Sequence, residues 1–429
     1  MITEFRAQNF KSWEDTGTID FAPLTGFFGA NSSGKTSLLQ VLLMLKQTVE
    51  RPPDWNGTID FGDESSLVNL GSFRDVIYRH RQDLSLVITV SWNLPDKLTV
   101  TNPFGDSSSP IETTTLSFST SVVKLDRHSV ILDSFTYRTE EQRLSIEWNP
   151  EPNLRSLGSN LVFLSGPLLR CYGLRDKSLS DSELAFWKFE EEFEELFSRM
   201  SYLGPRREYP RHQYIWSGQH PEGVGQHGSE MVSTLFSGRI QRLDLDEQVP
   251  RWLQCLGLID SYRLAPISDE GHGYEFLVTK HKSGPEVRLT NVGFGVSQIL
   301  PVLILSYYVP EGSILILEQP EAHLHPNVQA KLADVLIDVV KNRNIQIILE
   351  SHSEHLLHRL TRRIAEGEFS ADDMALYACQ INDGTSDIEP LRMDAYGNIS
   401  NWPRNFFGDD AGDVVQRAKA EIKRRKANT

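Results

Sequence analysis

Apolar and polar positions alternate in steps of two from Leu84 to Trp92 and through the Thr/Ser-rich stretch from Thr99 to Trp148. That period predicts antiparallel strands, with Ser107-Ser108-Ser109-Pro110 as a loop tip between them. Upstream, Ile2 to Gly29 mixes aromatic and β-branched residues with turn signals such as Asp15-Thr16-Gly17. It reads as short strands that run through Thr25-Gly26-Phe27-Phe28 into a glycine-rich loop. From Thr36 the segment Ser37 to Lys46 is so apolar that it predicts a helix buried on most sides. Glu183 to Met200 is acidic and helical, with Leu184, Phe186, Trp187, Phe189, Phe193 and Phe197 near helical spacing. A stripe of this kind is ordinarily a packed core face. An irregular Gly/Pro/His-rich segment from Gly204 to Gly228 precedes helices from about Glu230 to Leu256. After Glu311 the pattern becomes strand (Ser313 to Leu317), helix (Asn327 to Val340), strand (Ile345 to Leu349) and helix (Ser353 to Glu366). Such alternation predicts a parallel sheet with crossover helices.

The loop after the first strands, Gly29-Ala30-Asn31-Ser32-Ser33-Gly34-Lys35-Thr36, matches G-x-x-x-x-G-K-[ST] without a mismatch. Its glycines let the backbone wrap phosphates, and the helix that follows turns its positive N-terminus toward the same anion. Lys35 is expected to reach the β and γ phosphates, and the Thr36 hydroxyl to ligate Mg²⁺. The competing reading is a glycine-rich turn between strand and helix; the full motif match, flanked by an apolar strand and a helix as phosphate binding requires, favours the phosphate loop.

Ser313-Ile314-Leu315-Ile316-Leu317 runs into Glu318-Gln319-Pro320-Glu321 and has the form of a Walker B strand, which delivers an acid beside the Mg²⁺ held by Thr36. The strand Ile345 to Leu349 ends in Glu350-Ser351-His352, placing an imidazole at another carboxyl end of the same sheet, where ligands of such folds collect. Between the two halves lies Gly293-Phe294-Gly295-Val296-Ser297-Gln298, just before an apolar helix whose Pro301 is expected in or near the first turn. Glycines at a helix start make a second anion-binding element. In an ABC-like architecture one chain cannot fold this element onto its own phosphates, so a second subunit must supply it.

Composition narrows the setting. The chain has 429 residues, enough for two or three domain-sized units. Its net charge of −15 argues against a surface that coats nucleic acid, so any such contact would be local or belong to a partner. Cys171, Cys255 and Cys379 are widely spaced, which suits a reducing compartment and excludes a disulfide scaffold. The N-terminal residues lack a signal-peptide pattern and the longest apolar runs are too short to span a bilayer. The expectation is a soluble cytoplasmic protein.

The Phe10-Lys11-Ser12 opening, the P-loop, the Gly293–Gln298 segment, the run Glu318 to Pro326 and the run Glu350 to Leu357 together resemble bacterial AAA-type (ABC-class) ATPases of the SMC/RecF/OLD-like group. The segments Tyr202 to Arg207, Val224 to Gly228 and Asp394 to Phe407 resemble a subgroup with a short C-terminal domain of unknown function. The resemblance is weak from Leu98 to Gly166. It implies an α/β fold: an ABC-type ATPase head, with a P-loop parallel sheet and an antiparallel β subdomain, plus a helical insert and a small C-terminal cap. The expected divisions are 1–180, 181–300, 301–366 and 367–429. ATP and Mg²⁺ are the implied cofactors. Gly29, Asn31, Ser32, Ser33, Gly34, Lys35, Thr36 and Lys11 would bind the nucleotide on one subunit, and Gly293, Gly295, Ser297 and Gln298 would complete the site of the next. Thr36 and Glu318 would hold the metal, and His352 would sense the γ-phosphate. The implied partners are a second copy of the chain, in a dimer or higher oligomer around ATP, and a separate effector such as a nuclease in an anti-phage system. A DNA-binding repair ATPase like RecF is the rival reading. A transporter subunit is disfavoured, because the Gly293–Gln298 segment departs from Leu-Ser-Gly-Gly-Gln.

One departure stands out. ABC-type heads usually carry an acid immediately after the Walker B acid, and here that position is Gln319. An amide can hold a water but cannot take its proton, and general-base help is worth roughly 10² to 10⁴ in rate. Glu321 acting as base, Gln319 merely positioning water, and slow turnover in an ATP-held clamp all remain open. Weaker signals are His323, His325, His352 and His355 as a metal set, and three basic groups: Arg206/Arg207/Arg211, Arg359/Arg362/Arg363 and Lys423 to Lys426. Alternate histidines without a defined third ligand rarely hold metal, and basic groups on helices are ordinarily solvated. Asp409, Asp410 and Asp413 come too late for a TOPRIM-type nuclease.

Overall fold

The computed structural model describes residues 1–52, 54–100, 110–126, 129–140, 143–148, 155–157, 160–162, 170–173, 184–268, 272–403, 417 and 420. The Ser107–Ser109 tip, the Arg404–Phe407 end of the C-terminal motif, Asp409, Asp410, Asp413 and the Lys423–Lys426 group lie outside them.

A six-stranded sheet forms the centre, in the order Met200–Leu203, Ile314–Glu318, Gln346–Ser351, Leu24–Gly29, Met374–Asn382, Thr385–Pro390. The first five strands run parallel and the last is antiparallel. Side chains on a strand alternate between faces, and here both faces are covered, so the central strands are apolar throughout. Leu315, Leu317, Ile347 and Leu349 point to one core; Ile314, Ile316 and Ile348 point to the other.

On the first face pack the helices Phe294–Tyr308, Pro326–Arg343 and Glu354–Ala365, with Met231–Ile240 and Leu245–Cys255 beyond. The two predicted helices after Glu230 are accompanied by a small antiparallel sheet of Tyr214–Ile215, Gly273–Thr279, Ser261–Pro266 and Glu286–Arg288. On the second face lies the Lys35–Glu50 helix, which separates the central sheet from a nine-stranded antiparallel sheet running from Ile2 to Val162. Phe189, Phe193 and Phe197 of the Leu184–Ser198 helix are fully buried there, the Phe193 ring 4.5 Å from Phe118 and 4.9 Å from Tyr172. The aromatic stripe is a core face at these positions.

One expectation is corrected. Pro301 lies in the middle of the Phe294–Tyr308 helix, not its first turn, because the helix begins directly after Gly293. Its ring packs where a Cβ on Gly228 would come within 2.6 Å, and Gly228 takes a left-handed φ of 77°. Among the described residues no helix is long and apolar enough to cross a membrane.

Candidate nucleotide site

The loop Gly29–Thr36 leaves the buried Leu24–Gly29 strand and enters the Lys35–Glu50 helix through Gly34 at φ 94°. Glycine is required twice over. A Cβ on Gly29 would lie 2.2 Å from the Cys379 carbonyl, and one on Gly34 would lie 2.4 Å from Ser386 Oγ. The Trp13 indole donates to the Gly34 carbonyl at 3.1 Å, so the first β-hairpin props the loop from outside. Asn31 and Ser32 are exposed at the tip, with Ser32 at φ 61°, while Ser33 is buried. Lys35 is buried and donates to the carbonyls of Gly29 (3.0 Å) and Ala30 (2.7 Å) and to Ser33 Oγ (3.3 Å). Its burial lowers the ammonium pKa, against the pull of Glu350, Cys379 and Glu321. Lys11 is half-buried, at φ 52°, and donates to Gln40 Oε1 on the P-loop helix at 2.5 Å.

The Ile314–Glu318 and Gln346–Ser351 strands bring Glu318 and Glu350 into register as direct neighbours. The second of these strands lies next to the P-loop strand, so Glu350 stands opposite Phe27. Thr36 Oγ1 donates to Glu350 Oε2 at 2.7 Å, and Lys35 Nζ is 3.9 Å from Glu350 Oε1. Burial, with Glu318 and Glu321 near, outweighs these two partners and pushes the Glu350 carboxyl up to about 7. Glu318 is held from the other side by the Tyr202 hydroxyl at 2.8 Å. Burial raises its pKa too, while Tyr202 and Arg207 draw it back.

Gln319 takes a left-handed φ of 46° and donates its N–H to the Glu350 carbonyl at 2.9 Å. Glu321 is buried, and its Oε1 accepts both the Ser351 hydroxyl and the His352 N–H at 2.8 Å. Its Oε2 has no hydrogen-bond partner among the described residues. Glu321 thereby fixes the backbone that presents His352, whose Nε2 lies 3.9 Å from Glu350 Oε1. Burial, then Lys35, lowers the His352 pKa against a hydrogen bond to the Gly29 backbone, and the net lowering favours the neutral ring.

Thus Lys35, Thr36, Glu318, Glu321 and His352 gather at the carboxyl ends of adjacent strands. The Gly293–Gln298 segment is elsewhere: Phe294 packs its ring 5.2 Å from His323 and 5.2 Å from the exposed Tyr209. Ser297 Oγ donates to the Phe294 carbonyl at 2.7 Å, and the buried Gln298 Nε2 has no partner among the described residues. Neither Gly293 nor Gly295 has a positive φ; a Cβ on Gly293 would meet nothing within 4 Å, and one on Gly295 would make ordinary contacts with Leu324 at 3.6 Å and the His323 carbonyl at 3.9 Å. Packing within the subunit does not demand glycine at either position.

Sequence reasoning gave Glu350, Tyr202 and Arg207 no part in this site. Glu350 had the same signal as His352, a polar residue at a strand's carboxyl end. Tyr202 and Arg207 had none, because the Met200–Leu203 strand that brings them beside Glu318 is too short to show a period. Arg207, expected in an exposed basic group, is instead only 9% exposed. Its Nε and Nη1 have no hydrogen-bond partner among the described residues, and burial lowers its pKa to about 10. Of the second basic group, Arg359 and Arg363 are tied to Asp334 and Arg362 to Glu366.

Among the described residues no group of three or more His, Cys, Asp or Glu side chains is gathered to hold a metal ion. A magnesium ion carried on nucleotide phosphates needs only one or two protein ligands, and Thr36 with a carboxylate beside it meets that requirement. The donors are hard oxygens, and the glycine cradle beside them has no room for side chains.

A family model described as AAA ATPase domain matches residues 1–195 and 239–357, and one described as a protein of unknown function, DUF3696, matches residues 370–416. No curated protein matches. Similar solved structures include an SMC head bound to the C-terminal winged-helix domain of ScpA, at 13% identity and TM-score 0.48, covering 92% of this chain and 98% of that one. Another is the SMC head domain from Thermotoga maritima, at 11% identity and TM-score 0.42, covering 91% and 99%. A third is an SMC head with an extended coiled coil, bound to the C-terminal domain of ScpA from Pyrococcus furiosus, at 12% identity and TM-score 0.42, covering 91% and 96%.

Proposed function

The chain belongs to the AAA ATPase domain family, and from that premise we propose that it binds ATP with Mg²⁺ at Gly29–Thr36 and closes head to tail on a second copy of itself. In this reading Lys35 neutralises the β and γ phosphates and the Lys35–Glu50 helix directs its N-terminal dipole at them. Thr36 and Glu318 would serve the metal, which would supply positive charge to offset that of the phosphates. His352, neutral and fixed through Glu321, is set to hydrogen-bond the γ-phosphate.

The observation that carries the assembly is the glycine pair at the start of the Phe294–Tyr308 helix. Gly293 has open space where a side chain would stand, Gly295 would make only ordinary contacts with Leu324 and the His323 carbonyl, and both have ordinary φ values, so close approach by something outside the subunit is the remaining reason for them. A partner's γ-phosphate suits the open side of Gly293 and the helix dipole behind it.

Beyond this, the resemblance supports a regulatory or scaffold subunit that acts beside a separate effector, such as a nuclease, in a bacterial anti-phage system. Sedimentation with and without Mg-ATP tests the core of the proposal. The expected result is a nucleotide-driven shift to dimer or higher oligomer, and identical profiles in both conditions would reject it.

A further inference from the structure

The site holds more buried acid than its expected chemistry uses. Glu318, Glu321 and Glu350 are each less than a tenth exposed, and so are Lys35 and Arg207, the cations that face them. Three carboxylates against two cations leave one excess negative charge in a place where water cannot screen it. Such a cluster is costly unless a proton or a cation balances it. Two of its members carry unpaired atoms, Oε2 of Glu321 and Nε and Nη1 of Arg207, so the arrangement is incomplete without something added.

The sheet decides where a cation would sit. The Gln346–Ser351 strand lies between the Walker B strand and the P-loop strand, and neighbouring strands are about 4.8 Å apart. Glu350 therefore stands one strand nearer the P-loop than Glu318, its register partner. It touches the hydroxyl expected to ligate the metal and lies 3.9 Å from Lys35, whereas Glu318 turns to Tyr202 and Arg207. We infer that Glu350 is the carboxylate that serves the nucleotide-borne divalent cation together with Thr36, with Glu318 behind it in an outer, supporting position. This rests on the ATP-binding reading above and adds to it a metal residue outside the Walker motifs. One carboxylate, one hydroxyl, phosphate oxygens and waters make the usual set for magnesium, which keeps much of its hydration.

The alternative is that Glu350 only latches Thr36 in place. Glu350→Gln separates the two, because the amide keeps the shape and can still accept the Thr36 hydroxyl but loses the charge. ATP affinity is measured by calorimetry with excess EDTA and with Mg²⁺, alongside Glu318→Gln and Glu350→Asp. With EDTA, Glu350→Gln is expected to bind ATP as well as wild type or better, since a negative charge beside the phosphates is gone; this also shows that the variant is folded. The strengthening that Mg²⁺ confers should fall at least tenfold, more than in Glu318→Gln. Glu350→Asp, which keeps the charge on a shorter arm, should lie between wild type and Glu350→Gln, and it carries the test if the amide variant does not fold. An unchanged Mg²⁺ effect in Glu350→Gln, or a loss confined to Glu318→Gln, would overturn the inference while leaving ATP binding intact. A wild-type chain that binds no ATP under either condition would remove the reading it rests on.

Discussion

The Thr36 hydroxyl donates to Oε2 of Glu350 at 2.7 Å, across 314 positions of sequence. This contact ties the first turn of the P-loop helix to the strand that carries His352, so the two halves of the nucleotide site are aligned by the fold itself. Lys35, one residue earlier, has no such carboxylate in hydrogen-bond range and spends its donors on loop oxygens. A phosphate arriving in the loop would offer those donors charged acceptors instead, and charge-assisted hydrogen bonds are roughly twice as strong as neutral ones.

Lys35→Ala should therefore lose ATP binding, with calorimetric affinity falling by about a hundredfold or to below detection. The fold should survive at some cost in stability, because the freed Ala30 carbonyl belongs to an exposed residue while that of Gly29 is left without this donor in a buried place. Unchanged affinity in this variant would remove the P-loop assignment.

The basic residues of the Glu354–Ala365 helix make a different prediction. Arg359 and Arg363 both reach Asp334 on the neighbouring Pro326–Arg343 helix, at 2.8 and 2.7 Å. Burial works to raise the Asp334 pKa, but the two guanidinium hydrogen bonds overcome it and hold the carboxyl below its usual value. A depressed carboxylate pKa adds stability above the unfolded value near 3.8, and that stability is lost as pH falls through the lower folded value. Asp334→Asn should cost about 2 kcal/mol at pH 7, with the difference from wild type shrinking below about pH 4. Urea unfolding at pH 7 and pH 3 measures it. The same variant should leave any nucleic-acid retention unchanged, since these arginines serve helix packing.

Two glycines should respond in opposite ways. Gly34→Ala forces a Cβ against Ser386 and Trp13 at a left-handed φ, so it should weaken nucleotide binding and lower the melting temperature. At Gly295 a Cβ would make only ordinary contacts, with Leu324 at 3.6 Å and the His323 carbonyl at 3.9 Å, so in Gly295→Arg one-site ATP binding and stability should stay near wild type while ATP-driven association is lost. Calorimetry and sedimentation on both variants check the pair. A Gly295→Arg chain that still assembles with ATP would separate that helix start from the interface.

How much of this was legible beforehand follows the range of each signal. The P-loop, the Walker B strand and His352 are local patterns of apolar runs ending in polar residues, and each element lies where its pattern put it. Local pattern also reached the aromatic core face, because 3.6-residue spacing survives in a single helix. The Met200–Leu203 strand did not show, since four residues carry no period and their pairing with Ile314–Leu317 is set by the sheet. Without that strand Tyr202 cannot be placed on Glu318, nor Arg207 taken off the surface. Pro301 was misplaced because the helix begins directly after Gly293, several residues before the apolar run that marks it in the sequence.

Gln319 and Glu321 give the last prediction, and the geometry now bears unequally on the three accounts. Glu321 uses Oε1 to hold Ser351 and His352, which is a positioning task, yet its Oε2 is unpaired and its pKa is raised by burial, the environment of a base. Gln319 sits at φ 46°, a conformation that costs about 1 kcal/mol or more for a residue other than glycine. Its backbone is thus held by the Glu350 carbonyl at some cost, as expected where the side chain's direction matters. If Glu321 is the base, Glu321→Gln should lower single-turnover hydrolysis by roughly 10²-fold or more with ATP still bound. If Gln319 positions water, Gln319→Ala should be the more damaging change. If the chain is an ATP-held clamp, wild-type turnover will already be slow, and Gln319→Glu should speed it while shortening the life of the ATP-bound assembly. Because Glu321 also anchors His352, Glu321→Gln is expected to keep the Oε1 contacts through its amide oxygen, whereas Glu321→Ala should weaken ATP-driven assembly as well. Fast wild-type hydrolysis indifferent to Gln319→Ala and Glu321→Gln alike would refute all three accounts and move the search for the base to the partner subunit.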